Sequence, residues 1–297
     1  MKKALVIGLG MGQQYRDWLC EMGYGVDTVD PDPKKGASFL TDAQAAGRYE
    51  VAIICTPNWT HYGIATRVAK RCDIVMVEKP GVRTSVGWQQ LVDQCRPARV
   101  MMIKNNQWRD TMPTLKDLAG RSHTVEINWT NANRIPWPGS WFTTKELAFG
   151  GVSRDLMPHM LSYYTAITPY DDGLRSLATA EQRHLLDTID STEYGEVKHD
   201  GVYDVDDRCV LHYEQGRQLW VLTADWKNEQ PDDSSIVFHI GRNTVRHSLG
   251  LCPKEAYQAM IAEAVANIEP HHYSHRTSFW ADQLRQDLWI HQQIEGF

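Results

Sequence analysis

The sequence predicts an α/β protein in which a doubly wound parallel sheet is followed by an α/β domain with a large, mostly antiparallel open sheet. In the first hundred residues, short apolar runs alternate with helical patterns, as is typical of parallel strands joined by crossover helices. After about residue 106, longer stretches alternate apolar and polar residues, which favours strands with one covered face. A length of 297 residues suits two domains, which we place at 1–106 and 107–297.

Each predicted strand of the first half is a short apolar run. We predict strands at 4–7, 25–29, 51–55, 74–77 and 99–103. We predict helices at 14–22, 60–71 and 85–95, with Ser85 as the N-cap of the third. Only 20 residues separate Asp30 from Val51, too few for another full helix and strand. We therefore expect a short strand at 37–40 and a single turn at 42–46.

The second half is predicted from longer stretches in which apolar and polar residues alternate. Strands are expected at 123–130, 202–213, 218–224 and 235–240. Helices are expected at 112–118, 154–165, 253–268 and 277–294. Because no Gly/Ser-rich linker marks the boundary near residue 106, its position depends on this change of pattern alone.

Charge and composition exclude several classes of protein. The chain has 31 Lys and Arg residues against 37 Asp and Glu residues, so it lacks the basic excess typical of nucleic-acid binding. No apolar stretch approaches the roughly 20 residues of a membrane-spanning helix. The six cysteines form no C-x-x-C pair, and glycines interrupt the apolar run near the N-terminus. We therefore expect a cytoplasmic protein with reduced thiols and a buried first strand instead of a signal peptide.

A glycine-rich turn follows the first predicted strand. Gly8, Gly10 and Gly12, with Met11 between the last two, lead into the first predicted helix. This arrangement places a dinucleotide pyrophosphate on a helix N-terminus. The usual third small residue falls at Gln13, so the turn is one residue short and its helix must pack differently. A glycine-rich turn of another α/β fold is the alternative.

An acidic residue follows the second predicted strand. Asp30 lies 22 residues after Gly8, the spacing of a carboxylate that accepts a hydrogen bond from the ribose 2′-OH. A 2′-phosphate would be repelled there, so Asp30 favours NAD over NADP. Lys34 and Lys35 lie close enough to keep NADP open, and a turn-forming role for Asp30 is the alternative.

Three further motifs follow in order along the chain. They are Cys55-Thr-Pro-Asn-Trp-Thr-His61, Glu78-Lys-Pro80 and Gly150-Gly-Val-Ser-Arg-Asp-Leu-Met-Pro-His159. Together with the glycine-rich turn they resemble the Gfo/Idh/MocA family of NAD(P)-dependent oxidoreductases over nearly the whole chain. The resemblance implies a Rossmann domain followed by an α/β domain, and a homodimer or homotetramer formed through the second, open sheet. It also implies hydride transfer between NAD(H) and a carbinol or keto carbon of a sugar, cyclitol or related polyol.

The resemblance also implies the residues of the site. The catalytic residues would be Lys79, Asp155 and His159. The cofactor-binding residues would be Gly8, Gly10, Met11, Gly12, Asp30, Thr56, Pro57, Asn58, His61, Glu78 and Lys79. The substrate-binding residues would be Lys79, Asn106, Gln107, Trp141, Arg154, Asp155 and His159. Gln107 stands where the family often has an arginine, which makes a neutral polyol the expected substrate.

The chemistry of these residues agrees with such a reaction. Asp155 and His159 are four residues apart, so they share one face of the predicted helix. An imidazole can take the hydroxyl proton near neutral pH while hydride leaves the carbon. Lys79 follows a strand, where ligands bind in open α/β sheets, and its charge would stabilise an alkoxide. A solvated lysine and a surface Asp–His pair are the alternatives.

Other functions and sites remain open from the sequence. A lyase or glycoside hydrolase that oxidises a ring carbon transiently before elimination would need the same residues. A non-catalytic NAD-binding sensor would need only the cofactor residues. The tryptophan-rich loop at 131–141 suits either a cover over a sugar site or an interface. No cysteine or acidic ligand is tied by spacing to His271-His-x-x-His275, so we predict no metal site.

Overall fold

The computed structural model describes residues 2–170, 173–268 and 273–297, apart from the side chains of 273–278. The chain forms two compact units. The first unit comprises Met1–Asn105 and Lys254–Glu295, and the second comprises Asn106–Pro253 and Gly296–Phe297. The predicted second domain at 107–297 is therefore wrong in its last part. The two C-terminal helices belong to the first unit because the side chains of the final helix pack on its sheet and helices.

The first unit contains a five-stranded parallel sheet. Its strands are β1 (Lys3–Ile7), β2 (Gly25–Val29), β3 (Tyr49–Ile54), β4 (Cys72–Val77) and β5 (Arg99–Met102), in the order β2-β1-β3-β4-β5. Its helices are α1 (Gly12–Glu21), α2 (His61–Val68) and α3 (Ser85–Cys95), joined by the two C-terminal helices. Apart from the edge strand β2, the strands are mostly apolar and buried, as expected for a sheet covered on both sides. Their carboxyl ends meet at one edge, where the predicted cofactor motifs lie.

The shortened region between β2 and β3 is confirmed. In place of a full strand, Phe39 makes a single parallel bridge to Val29. In place of a helix, one 3-10 turn spans Asp42–Gln44, and the Gln44 amide oxygen accepts from the Thr41 N–H at 3.0 Å. The sheet therefore ends at β2, with little structure beyond it.

The second unit contains a six-stranded, mostly antiparallel sheet, as predicted. Its strands are β6 (Thr124–Thr130), β7 (Leu174–Glu181), β8 (Arg208–Gln215), β9 (Gln218–Asp225), β10 (Asp233–Ile240) and β11 (Asn243–Ser248). They are ordered β11-β10-β6-β9-β8-β7, and β6 pairs with β9 in parallel. The helices of this unit are α4 (Met112–Gly120), α5 (Lys145–Ala148), α6 (Val152–Asp155) and α7 (Met157–Ile167). α7 contacts β6 and β9 and buries most of its side chains.

Several predicted bounds need correction. The strand predicted at 202–213 begins only at Arg208, because the backbone of Asp206 and Asp207 bonds to other segments. The helix predicted at 154–165 is divided at Leu156, and Pro158, which has no N–H, lies in the first turn of the second part. β7 and β11 were not predicted because both are exposed edge strands without an apolar face.

The end of the chain folds as two helices. They are α8 (Lys254–Ala266) and α9 (Tyr273–Ile294). None of the helices described in the structure is long and apolar enough to cross a membrane. α9 contacts α3 and β5 and so reaches the edge of the first sheet that carries the predicted motifs.

Candidate functional site

The glycine-rich turn joins β1 to α1 and depends on two close approaches. Gly8 has a φ of +89°, and a Cβ there would lie 2.6 Å from the Cys55 carbonyl oxygen, so only glycine fits. α1 begins at Gly12, where a Cβ would lie 2.9 Å from the Val6 side chain. Gly12 therefore lets the helix approach the strand one position earlier than usual. At Gly10, which is exposed, a Cβ would meet no atom within 4 Å.

This turn leaves room for an anion at the start of α1. The helix N-terminus carries a partial positive charge, and Met11, its N-cap residue, makes no capping bond with its side chain. The open space at Gly10 lies directly before that N-terminus. The observed backbone therefore fits a pyrophosphate, despite the shortened turn.

The Asp30 carboxylate is tied to this turn. It accepts hydrogen bonds from the Leu9 N–H at 2.7 Å, the Asp32 N–H at 2.9 Å and the Lys35 ammonium at 3.1 Å. Asp30 is only 4% exposed. Burial by itself raises the pKa of Asp30, but the three hydrogen bonds outweigh it, so the pKa lies below its usual value. Lys35 therefore places a positive charge beside the carboxylate that was predicted to select NAD.

The loop after β3 lies against the glycine-rich turn. A Cβ on Gly8 would lie 3.0 Å from the Thr56 methyl group. The Thr60 hydroxyl donates to the Pro57 carbonyl oxygen at 2.7 Å, so the Thr56 hydroxyl, 2.6 Å away, donates to Thr60. Asn58 begins the 3-10 turn that follows. Since β1 and β3 are the strands between which the order reverses, both loops flank the crevice where open α/β sheets bind ligands.

His61 was predicted to lie beside the cofactor. Its ring is fully buried at the start of α2. Nδ1 lies 2.7 Å from the Gly81 carbonyl oxygen, and Nε2 lies 2.7 Å from the Thr56 carbonyl oxygen. Burial lowers the pKa of His61 and outweighs the two carbonyl oxygens, which favour the protonated ring. The side chain therefore joins the loop after β3 to the turn after β4.

The Glu78-Lys79-Pro80 motif forms a turn at the end of β4. The Gly81 N–H donates to the Glu78 carbonyl oxygen at 3.0 Å and closes the turn. The Glu78 carboxylate accepts from the buried Tyr15 hydroxyl at 2.7 Å and from the Lys79 N–H at 3.1 Å. The Lys79–Pro80 peptide bond is cis, and Lys79 is half-buried. The motif therefore places Lys79 at the same edge as the glycine-rich turn, as predicted.

Sequence reasoning missed the contribution of α9 to this edge. Asp287 accepts from the Met102 N–H at 3.0 Å and pairs with the buried Lys104 ammonium. Glu295, which directly follows α9, accepts from the N–H of Ser85 at 2.5 Å. The N-cap of α3 is Thr84 and not Ser85 as predicted, because the Thr84 hydroxyl accepts from the Gly87 N–H. These partners lie far apart in sequence, and no short motif could have indicated them.

In the second unit, Asp206 holds the start of α6. Its carboxylate accepts from the Gly151 N–H at 2.9 Å, and from the N–H and hydroxyl of Ser153 at 2.7 and 2.9 Å. A Cβ on Gly151 would lie 1.8 Å from the Asp206 carbonyl oxygen, which explains this glycine of the motif. The contact fixes the helical segment that carries Asp155.

Asp155 and His159 lie on successive helices, α6 and α7. The Asp155 carboxylate accepts from the indole N–H of Trp226 at 3.0 Å. The His159 ring lies against Trp129, with ring centroids 5.5 Å apart. Both residues are partly exposed. The structure thus places both predicted catalytic side chains of this unit among indole rings, at the boundary with solvent.

Asn106 indicates which nitrogen of His159 carries a proton. The Arg109 guanidinium donates to the Asn106 amide oxygen at 3.4 Å, and this places the amide nitrogen 3.5 Å from His159 Nδ1. Arg109 is itself held by the Leu249 and Gly250 carbonyl oxygens at 2.6 and 3.1 Å. Because an amide nitrogen only donates, Nδ1 accepts, and the proton of the neutral ring is on Nε2. Sequence reasoning missed Arg109, and no motif marks it.

Three further residues were predicted to bind the substrate: Gln107, Arg154 and Trp141. The Gln107 amide nitrogen donates to the Ser162 carbonyl oxygen at 3.2 Å and to the Thr165 hydroxyl at 3.0 Å, so it supports α7. Arg154 is buried, at 2% exposure, and does not lie on the surface. Trp141 is half-buried and packs on Phe142, with ring centroids 4.1 Å apart. The sequence indicated neither the contacts of Gln107 with α7 nor the burial of Arg154.

No metal site is found within the described part of the chain, where no cluster of three His, Cys, Asp or Glu side chains could hold an ion. The histidine run 271–275 lies outside the residues whose side chains are described.

No protein-family model matches the sequence. One curated relative is a putative UDP-kanosamine synthase oxidoreductase subunit from Amycolatopsis mediterranei (strain S699), 26% identical over 178 residues. The match covers 54% of this chain and 49% of that protein, so the chain matches about half the length of this relative.

Solved structures match along almost the whole chain. GenD2 from gentamicin A biosynthesis, in complex with NAD, has a TM-score of 0.76 at 18% identity, covering 99% of this chain and 92% of that one. Levoglucosan dehydrogenase, in complex with NADH and levoglucosan, has a TM-score of 0.71 at 16% identity, covering 99% and 96%. The likeness confirms the fold implied by the resemblance to the Gfo/Idh/MocA oxidoreductases: a Rossmann unit joined to an α/β unit with an open sheet.

Proposed function

We propose that the protein is an NAD-dependent oxidoreductase that acts on a CH–OH or keto carbon of a sugar, cyclitol or related polyol. The observation that carries this proposal is the crevice edge of the first sheet. There the turn at Gly8–Gly12, the Asp30 carboxylate and Lys79 follow β1, β2 and β4. The solved structures of the same fold that contain NAD or NADH support the choice of cofactor.

The residues present fit NAD. The backbone at Gly10 and the N-terminus of α1 would hold the pyrophosphate, and Asp30 would accept from a ribose hydroxyl. The loop of Thr56, Pro57 and Asn58 would border the rest of the dinucleotide. When bound, the nicotinamide would supply the hydride acceptor in the oxidising direction and the hydride donor in the reducing direction.

The chain itself would move the proton. His159 would take the hydroxyl proton during oxidation and return it during reduction. Because Nε2 already carries a proton, the accepting atom would be Nδ1, which lies 3.5 Å from the Asn106 amide nitrogen. The Lys79 ammonium would stabilise the negative charge that develops on the oxygen. Asp155, oriented by Trp226, would bind a neighbouring substrate hydroxyl or the imidazole.

The assembly and location are part of the same proposal. We expect a homodimer or homotetramer, which sedimentation or light scattering of the purified protein would measure. A reducing, cytoplasmic compartment is supported by the six cysteines, all described in the structure, since no disulfide joins them.

The first test is an equilibrium titration of the purified protein with NADH, following energy transfer from its tryptophans. We expect saturable binding, followed by NAD-dependent oxidation of at least one compound in a panel of sugars and cyclitols. If the purified protein is shown to carry no retained cofactor and still binds neither NADH nor NADPH, the proposal is contradicted. If the protein retains its cofactor through purification and catalyses elimination from a substrate without net production of NADH, the lyase alternative is indicated.

Lys35 is expected to weaken the selectivity for NAD. Its ammonium neutralises Asp30, and a 2′-phosphate could accept the same charge-assisted hydrogen bond. We expect Lys35→Met to lower the affinity for NADPH roughly tenfold relative to NADH, as is typical for loss of a bond to a charged group. Titration of the native and Lys35→Met proteins with NADH and with NADPH measures the ratio of the two affinities.

Lys34→Met is the matched control for this prediction. Lys34 and Lys35 lie on the same 3-10 turn, Pro33–Lys35. Among the hydrogen bonds described, Lys34 makes one only through its backbone N–H, to the Asp32 carboxylate. Its replacement should leave the ratio of the two affinities within about twofold. An unchanged ratio in Lys35→Met, or an equal change in both variants, would remove Lys35 as a determinant.

A further inference from the structure

One peptide group in the site is held at both of its ends by buried imidazoles. The Gly81–Val82 peptide directly follows the Glu78-Lys79-Pro80 turn. His61 Nδ1 lies 2.7 Å from its carbonyl oxygen, and the Val82 N–H donates to His291 Nε2 at 3.2 Å. Both histidine rings are fully buried, one from α2 and one from α9. We call His61 and His291 the histidine pair.

The state of His291 is fixed by its two partners. Its Nε2 receives the Val82 N–H, so that nitrogen carries no proton. Its Nδ1 lies 2.6 Å from the Asp287 carbonyl oxygen, which only accepts, so Nδ1 carries the proton. The ring also stacks on Trp88, with centroids 5.0 Å apart. His291 is therefore a neutral acceptor locked in one orientation.

The histidine pair fixes the orientation of the peptide. His291 offers an acceptor to the N–H side, and His61 Nδ1 lies 2.7 Å from the carbonyl oxygen, to which it donates in the tautomer that carries the proton on Nδ1. If the peptide rotated by half a turn, its carbonyl oxygen would face the unprotonated Nε2 of His291, and its N–H would lose that acceptor. Both buried groups would then lose their partners, which is costly away from water. Gly81, with a φ of +74°, is also confined, because a Cβ there would lie 2.7 Å from His291 Nε2.

We propose that His61 and His291 are positioning residues that hold the Lys79 turn in its working conformation. The peptide they hold begins at Gly81, whose own N–H closes the turn on Glu78. Movement of this peptide would therefore be passed to Lys79. The inference rests on the proposed function for the role of Lys79 in catalysis, while the effect on the turn is measurable without it.

The test compares two substitutions of His291. His291→Leu removes the acceptor, whereas His291→Gln can present an amide oxygen to the Val82 N–H. We expect hydrogen exchange at Val82 to become roughly tenfold faster in His291→Leu, since the amide loses its buried partner. We expect Lys79 to react several-fold faster with an amine-modifying reagent, measured by mass spectrometry of its peptide. His291→Gln should restore both rates to within about twofold of the native values.

Ser85→Ala is the matched control for a general loosening of α9. It removes the bond from the Ser85 hydroxyl to Glu295 at 3.1 Å and leaves the histidine pair in place. It should lower Tm without changing exchange at Val82 or the reactivity of Lys79. Unchanged Lys79 reactivity in His291→Leu, or an equal rise in Ser85→Ala, would overturn the inference.

Measurement of kcat tests whether the conformation of the Lys79 turn affects the reaction. With the substrate found in the panel, His291→Leu should lower kcat by about ten- to a hundredfold while the Kd for NADH changes little. A native protein that does not bind NADH would refute the proposed function, yet the exchange and labelling results would still decide whether the pair holds the turn. Normal NADH binding with unchanged Lys79 reactivity would refute the inference alone.

Discussion

The His159→Leu protein is expected to bind NADH as tightly as the native protein and to turn over substrate about 10² to 10⁴ times more slowly. The reason is that His159 lies in the second unit, whereas the residues proposed to bind the dinucleotide lie in the first. The substitution therefore removes the group proposed to transfer the proton and leaves the proposed NADH-binding residues unchanged. Fluorescence titration with NADH and initial rates with the substrate found in the panel measure the two effects separately.

The control for this substitution is His199→Leu. His199 is exposed in the same unit, and we expect native kinetics from its replacement. A His159→Leu protein that keeps more than about a tenth of the native kcat would show that another group moves the proton. Normal NADH binding by the native protein with no turnover of any compound in the panel would instead point to the sensor alternative.

The Asp287→Asn protein is expected to be about 3 to 5 kcal/mol less stable than the native protein. Asp287 and Lys104 are a buried ion pair with fully buried side chains, and asparagine leaves the lysine charge without a compensating carboxylate. Burial already raises the pKa of Asp287 and lowers that of Lys104, although their mutual attraction opposes both shifts. Urea unfolding followed by tryptophan fluorescence measures the loss of stability.

Two further variants test the cause of this loss. Asp282→Asn, on the same helix, breaks an exposed pair with Arg285 and should change stability by less than about 1 kcal/mol. Lys104→Met combined with Asp287→Asn removes both charges and should recover much of the stability lost in the single variant. A double variant less stable than Asp287→Asn would show that the packing of Lys104, not its charge, is what matters.

Local patterns predicted most of the first unit. The apolar runs fixed five parallel strands, and the 20 residues between Asp30 and Val51 predicted the missing helix and strand. Gly8 was predictable because a tight βα turn requires a positive φ, which glycine adopts without a Cβ clash. Edge strands β7 and β11 were not predictable in this way, since exposed residues on both faces leave no alternation to detect.

The site shows the same division. The spacing of motifs indicated Lys79, Asp155 and His159. Gly81 closes the turn of Lys79 and Gly151 lets α6, which carries Asp155, begin beside Asp206, whereas His159 lies on the next helix. The roles of Gln107 and His61 were not indicated by the sequence. Their polar atoms bond to backbone groups of α7 and of two loops, and a residue type does not reveal such partners.

The sequence by itself determined the class of fold, the shortened region between β2 and β3 and the positions of the motifs, because these depend on the order and spacing of neighbouring residues. Only the tertiary structure decided that α9 belongs to the first unit, that Lys104 is paired and that His291 meets His61 across one peptide group. Those contacts join residues separated by up to about two hundred positions. Burial, which sets their energies, exists only once the chain has folded.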